Sequence, residues 1–307
     1  MDSTALAEEL SRIDAAGLSR SMVPLDSAAD AEVEVAGRRM LMLSSNNYLG
    51  LANHPTVRAA ARSAVDRYGA GTGASRLVSG DLSIHHAVEE RLACFKGAEA
   101  ALLFTSGYHA NIGTISTLVN SHDQIFSDAL NHASIIDGCR LSRAQVTVYP
   151  HRDTAALKRL IVESPPAPRR LIVTDSVFSM DGDLAPLAEL VQIARDVGAW
   201  IMVDEAHATG AFGPTGAGLA EALELAGAID VSMGTLGKAL GGFGAYVAGS
   251  RGLIDLLVNR ARSFVYTTAP PPATVVAAVA AVEIVVAEPQ RRQALWDRAA
   301  QLRRGLT

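Results

Sequence analysis

The sequence predicts an α/β fold, a mainly parallel seven-stranded sheet flanked by helices. Short apolar or β-branched runs alternate with longer segments of helical spacing, the pattern of strand-helix-strand units. Glycine-rich and polar clusters fall at the ends of those runs, where open α/β sheets gather ligands. A length of 307 residues, 49% hydrophobic and 19% charged, supplies a large core and is too apolar for a disordered chain.

The first segment, 1–50, reads as a leader outside the main sheet, with a small antiparallel pair between Ala31 and Leu43 turning at Ala36-Gly37. Val57 to Tyr68 has helical spacing. The seven strands are expected at Ala101–Phe104, Gln124–Phe126, Val146–Tyr149, Leu171–Thr174, Trp200–Val203, Val231–Met233 and Ala245–Ala248. Helical patterns lie between them at Asn111–Val119, Asp153–Val162 and Pro186–Val197, with Pro186 suited to a first helical turn. After the last strand, Arg251–Arg262, Thr274–Val286 and Gln290–Leu306 continue as helices, broken at Pro270-Pro271-Pro272. The working division is a leader at 1–50, a large domain at 51–270 and the start of a further domain at 271–307.

Composition excludes several functions. A net charge of −5 offers no field for nucleic acid or anionic membranes. The two cysteines, Cys94 and Cys139, form no disulfide framework and match no zinc spacing, so no metal site is assigned and a reducing cytoplasm is expected. Met1 to Arg20 lacks the basic start and apolar centre of a signal peptide. Ala273 to Ala287 is shorter than the roughly 20 residues of a membrane span and reads as a buried helix.

Four clusters carry chemistry. Gly69 to Gly80, with Arg76 among small residues, reads as a ligand-facing loop, but it follows a helix where a dinucleotide fingerprint must follow a strand. Ser106-Gly107-Tyr108 ends a strand and opens a helix, where free amides and the helix dipole favour phosphate; an ordinary serine N-cap is the plainer reading. Asp204-Glu205-Ala206-His207 follows a buried strand, and a carboxylate there calls for a cationic partner. These four letters also spell a helicase signature. Gly237-Lys238-Ala239 lacks the Ser or Thr of a P-loop and lies after the acidic motif, which argues against an NTPase. Lys238 itself sits in a small, nearly uncharged run, where desolvation frees its amine to attack an aldehyde. An amine for an aldehyde, an acid for a ring nitrogen, a helix start for a phosphate and histidines for the ring are the partners of pyridoxal 5'-phosphate.

Ser45-Asn46-Asn47-Tyr48-Leu49-Gly50-Leu51, Ser75 to Gly80, Val177 to Asp183, Asp204 to His207 and Thr235-Leu236-Gly237-Lys238 together resemble the α-oxoamine synthases, closest to the biotin-pathway branch, from about Arg20 onward. The resemblance implies the aminotransferase-like architecture of pyridoxal-phosphate fold type I and a homodimer. It implies decarboxylative condensation of an amino acid, L-alanine in this branch, with a pimeloyl thioester of CoA or an acyl-carrier protein. Lys238 would hold the cofactor aldehyde and then take the α-proton, Asp204 would pair with the ring nitrogen, His207 and Ser179 with the phenolic oxygen, and His132 would stack on the ring. Ser106, Gly107, Tyr108 and Thr235 would meet the phosphate, and Thr267 or Thr268 that of the neighbouring subunit.

For substrates, the resemblance points to Asn46 for the carboxylate, Arg20 for the acyl chain and Ser75 as the small residue leaving room for a methyl or serine side chain, a preference of about 1 to 3 kcal/mol. Family members continue into a C-terminal small domain, so a chain reaching Thr307 is expected to lack most of it. Two alternatives stay open: another α-oxoamine synthase, using serine or glycine, and a cofactor-binding fragment without turnover.

Overall fold

The structure, a computed structural model, describes residues 3–306. It divides into two units that part between Ser45 and Asn46. In the first, helix α1 (Ser3–Ala15) precedes a hairpin of β1 (Glu32–Val35) and β2 (Arg38–Leu41), which pair antiparallel with Val35 opposite Arg38. Ala36 and Gly37 both have positive φ, 49° and 72°, the conformation a two-residue hairpin turn demands. This hairpin is a sheet of its own, as expected; α1 lies where the sequence suggested no element.

The second unit runs through α2 (Pro55–Tyr68), α3 (Ser83–Lys96), β3 (Ala100–Phe104), α4 (Gly107–Leu118), β4 (Gln124–Asp128), α5 (Ala133–Ser142) and β5 (Gln145–Tyr149). It continues with α6 (Thr154–Glu163), β6 (Arg170–Asp175), α7 (Leu187–Val197), β7 (Trp200–Asp204), α8 (Leu219–Ala222), β8 (Val231–Thr235) and β9 (Ala245–Gly249). Helices α9 (Arg251–Arg260), α10 (Arg262–Val265), α11 (Pro272–Ala287) and α12 (Gln290–Leu306) close it. All seven expected strands form one sheet in the order β3-β9-β8-β7-β6-β4-β5. Its parallel run ends at β9, which is antiparallel to both β3 and β8. Only residues 236–244 join β8 to β9, too few for the crossover of about a dozen residues that a parallel return needs. Helices α3 and α5 appear where no helix was read from the sequence.

Alternation along the strands builds the core. Leu102 and Phe104 pack with Ile115, Ile135 and Leu257 on one face, while Leu103 joins Val88, Leu92 and Val282 on the other. In the central strands Leu171 and Val173 share the first face, and Ile172 meets Leu190, Ile193 and Ile201. Each such side chain, fully buried, contributes about 1.5–3 kcal/mol. Helix α11 buries Val275, Ala278, Ala281, Val282 and Val285 against the layer containing α2 and α3, so its apolar sequence is core. Among the described residues no single helix is long and apolar enough to cross a membrane.

One edge of this sheet is polar by construction. Parallel strands β4, β6, β7 and β8 end in Asp128, Asp175, Asp204 and Thr235. Chain order also reverses between β4, which leads outward to β5, and β6, which leads back to β7, and such reversals open a crevice at the carboxyl ends.

Candidate active site

Asp204 completes β7, opposite Asp175 of β6 in the ladder register, and both carboxylates are buried. The Asp204 oxygens are held separately: Oδ1 accepts the Ala206 N–H at 2.8 Å and Oδ2 accepts Asn111 Nδ2 at 2.8 Å. Burial nonetheless raises its pKa, against the pull of those hydrogen bonds and of Lys238. A carboxylate in that condition is stabilised by a cation brought to it. Asp175 is raised as well, by burial and then by the charge of Asp204; its Oδ2 accepts the His132 N–H at 2.8 Å.

Lys238 follows β8 and lines the same small cavity as Asp175, Asp204, His132 and His207. Burial lowers its pKa, and Asp204 and Asp175 restore part of the loss. His207 is lowered to about 4 by burial and the nearby positive charges, so its ring is neutral at pH 7. Its Nδ1 lies 2.7 Å from the hydroxyl of Tyr48, which also reaches Asn46 Oδ1 at 3.3 Å. His132 caps α5: its Nδ1 accepts the Ser134 N–H at 3.2 Å and lies 2.7 Å from Ser134 Oγ, which in turn accepts Asn111 Nδ2 at 2.8 Å. One relay therefore ties His132 to Asp204 through Ser134 and Asn111.

The other wall is the start of α4. Ser106 is an N-cap in extended conformation, its Oγ accepting the His109 N–H at 3.1 Å. Both readings of Ser106 hold together, because the cap uses a lone pair and leaves the hydroxyl proton free to donate. Gly107 and Tyr108 present first-turn amides, which have no partner within the helix. Beside them Thr235 Oγ1 is buried and, among the described residues, has no hydrogen-bond partner.

Ser179, Thr267, Thr268, Ser75 and Arg76 are not among the residues lining this cavity. Ser179 is exposed on the loop after β6, and Thr267 and Thr268 precede α11 on a segment docked to the glycine loop, where Ala269 N–H donates to Ala74 O at 3.0 Å. Ser75 lies in that loop, its carbonyl accepting from Val78 and Gly80. Arg20 belongs to the first unit and is exposed. Arg76 is held in an ion pair. Its guanidinium is buried and bonded to both Glu89 oxygens at 2.8 and 2.9 Å, and also to Asp81. The sequence reading passed over Tyr48, Asn111, Ser134 and Asp175. A signal existed for Asp175, since an apolar strand ending in aspartate repeats the pattern that identified Asp204.

Residues 38–307 match the family described as aminotransferase class I and II. The chain is 56% identical over 301 residues to the 8-amino-7-oxononanoate synthase of Anaeromyxobacter sp. (strain K), covering 98% of this chain and 75% of that one. The enzyme of the same name from Geobacter sulfurreducens is 57% identical over 280 residues, covering 91% and 72%. Sphingomonas wittichii serine palmitoyltransferase superposes with a TM-score of 0.92 at 34% identity, covering 99% of this chain and 76% of that one.

The chain is an α-oxoamine synthase of the aminotransferase class I and II family.

Pyridoxal phosphate is the cofactor of this α-oxoamine synthase, and a serine palmitoyltransferase solved with PLP superposes on it with a TM-score of 0.89 at 33% identity, covering 95% of this chain and 74% of that one. The residues present fit that group. Asp204 seeks a cation, Lys238 has a depressed pKa, and Thr235 keeps an unused buried hydroxyl beside free amides. Close approach at the amides depends on Gly107, where an added Cβ would stand 2.8 Å from Thr235 Cγ2. Gly107→Ala is therefore expected to weaken pyridoxal phosphate binding about tenfold or more, the scale of an overpacked contact, as read by absorbance titration of the apoprotein.

Proposed function

We propose that this α-oxoamine synthase condenses L-alanine with a pimeloyl thioester, of CoA or of an acyl-carrier protein, to give 8-amino-7-oxononanoate, CO2 and the free thiol. The observation that carries the chemistry is the convergence in one cavity of a cation-seeking carboxylate and an amine of lowered pKa. The choice of substrates follows relatives of 52–58% identity that bear that enzyme's name.

When bound, pyridoxal phosphate supplies an electron sink for negative charge developing at the substrate α-carbon. Asp204 keeps the ring nitrogen protonated, and Asn111 and the Ala206 amide fix the carboxylate plane for that contact. Lys238 would hold the cofactor aldehyde, and its Nζ would be the acceptor for the substrate α-proton. Neutral His207, aligned by Tyr48, offers its ring to the phenolic oxygen together with Ser179. His132 covers the ring face, held by Asp175 and Ser134. Ser106, Gly107, Tyr108 and Thr235 take the phosphate. Asn46 receives the substrate carboxylate beside Tyr48, Ser75 leaves room for the alanine methyl, and Arg20 meets the acyl chain.

The same proposal includes a cytoplasmic homodimer in which Thr267 or Thr268 of one subunit reaches the phosphate in the other. It keeps the division into a leader at 1–50, a cofactor domain at 51–270 and the start of a second domain at 271–307. The chain spans about three quarters of the length of the relatives it matches.

Turnover tests the reading. Protein saturated with cofactor is expected to release CO2 and thiol from L-alanine plus pimeloyl-CoA, faster than from glycine or from L-serine with palmitoyl-CoA. Preference for L-serine with the long acyl chain would replace it with a serine palmitoyltransferase reading, and silence with every pair would leave a cofactor-binding fragment. Asp204→Asn is expected to fold and to lower kcat about 10²–10³-fold, the range for losing one preorganised charge contact.

A further inference from the structure

A second cluster of charged groups lies at the same sheet edge, outside the cavity. β4 ends in Asp128 and β5 is followed by Pro150-His151-Arg152, while Asp183 closes the loop after β6. His151 stands between the two acids, Nδ1 2.8 Å from Asp128 Oδ1 and Nε2 3.0 Å from Asp183 Oδ2. A neutral imidazole carries one N–H, so it satisfies one of these carboxylates and turns a lone pair towards the other; the charged ring donates to both. Arg152 reinforces the arrangement, donating its backbone N–H to Asp128 Oδ2 at 2.8 Å and Nη1 to Asp183 Oδ2 at 2.8 Å. The His151 ring also packs on the edge of Phe178, with centroids 4.4 Å apart and planes at 89°.

Phe178 and Asp183 are the two ends of one turn. Phe178 N–H donates to Asp183 O at 3.0 Å and Gly182 N–H to Phe178 O at 2.8 Å, while residues 179–182 between them are exposed. The exposed arc, with Ser179 at its start, thus takes its position from its two anchored ends, and both anchors touch His151. We propose that His151, bridging Asp128 and Asp183 as an imidazolium, is a positioning residue that pins the 178–183 turn to the strand ends and so sets where Ser179 stands. The role given to Ser179 rests on the proposed function; the latch itself does not.

The pH dependence has a definite sign. Burial works against the charge on His151, but the hydrogen bonds it donates to Asp128 and Asp183 outweigh it and raise the pKa above the ordinary histidine value. Facing it are Asp128 from β4, Asp183 from the turn and Arg152 from its own loop, with Phe178 as the apolar neighbour. A raised folded pKa means the contribution is fully present below the unfolded value and is lost as pH rises through the folded one.

Hydrogen exchange of the intact chain, with and without pyridoxal phosphate, tests the latch independently of turnover. Protection factors of amides 178–184 are expected to fall about tenfold in His151→Gln, the loss of one charge-assisted hydrogen bond, and to fall in wild type as pH rises from 6 to 9. Asp183→Asn reads the same contact from the other side should His151→Gln fail to fold. In active enzyme His151→Gln is expected to lower kcat more than it raises KM and to flatten the alkaline limb of the pH profile. Unchanged protection in both variants, or wild-type protection independent of pH, overturns the latch. A protein that binds no cofactor yet shows the exchange effects would overturn the proposed function and leave the latch standing.

Discussion

Lys238→Ala is expected to fold, to bind pyridoxal phosphate only reversibly, and to lose turnover by at least about 10²–10⁴-fold, the range for a positioned general base alone. The magnitude follows from the absence of a substitute. Among the described residues lining the cavity Lys238 is the only lysine or arginine, and Arg76 and Lys96, outside it, are locked in buried ion pairs with Glu89 and Glu205. Of the cavity histidines, His207 is neutral at pH 7 and already bonded to Tyr48.

Lys238 also carries a pH signature. Burial lowers its pKa, with Asp204 and Asp175 opposing, so the neutral amine becomes available at lower pH than for an exposed lysine. Cofactor uptake by the apoprotein should therefore accelerate as pH rises through that depressed value and level off above it. Stopped-flow absorbance measures it. A rate flat with pH, or a Lys238→Ala protein with wild-type turnover, would remove Lys238 from the chemistry.

Much of this was legible because the chemistry sits where the strand pattern changes. Asp204 follows a buried apolar strand and Ser106 a strand-to-helix turn, so both were visible without coordinates, whereas Thr235 came from the family resemblance. Three kinds of fact were not. The reversal of β9 depends on the short 236–244 connection, and connection length was not weighed. Asn111, Ser134 and Tyr48 act through hydrogen bonds to residues 93, 23 and 159 positions away, and pairings across such spans leave little periodic trace. The third is how the glycine loop packs: small residues let a backbone approach something closely, and at Gly80 that something is its own chain. A Cβ at Gly80 would meet Ala74 O at 2.1 Å, so the loop folds on itself around the Arg76 ion pair.

The four residues Asp204 to His207 show how adjacent letters part in three dimensions. Asp204 and His207 line the cavity, and Ala206 lends its N–H to Asp204. Glu205 points away, to Lys96 at the end of α3. The tetrapeptide that spelled a helicase signature is thus half site and half scaffold.

That scaffold half carries the largest expected effect on stability. Side chains of Lys96 and Glu205 are 4% and 1% exposed and directly paired. Lys96 also donates to Ala217 O, and Glu205 Oε1 accepts the Ala220 N–H at 2.9 Å. Burial alone would lower the pKa of Lys96, yet Glu205 holds it above the ordinary value. Removing one partner leaves the other charge buried and alone, so Lys96→Met should cost about 3–5 kcal/mol of unfolding free energy, a large part of the roughly 5–15 kcal/mol of a typical domain. Joining Glu205→Gln to it removes the orphaned charge and keeps an acceptor for Ala220, so the double variant should regain more than half of the loss. Urea denaturation of the two variants measures this, and a Lys96→Met protein within about 1 kcal/mol of wild type would show that the pair does not anchor α3. Neither residue touches the cavity, so the folded fraction of both variants should take up cofactor normally, whereas Asp204→Asn, one residue away, should fold well and fail in catalysis. The opposite outcome, a stable Lys96→Met protein unable to bind cofactor, would mean that the pair shapes the site through the Asp204 backbone rather than the fold through α3.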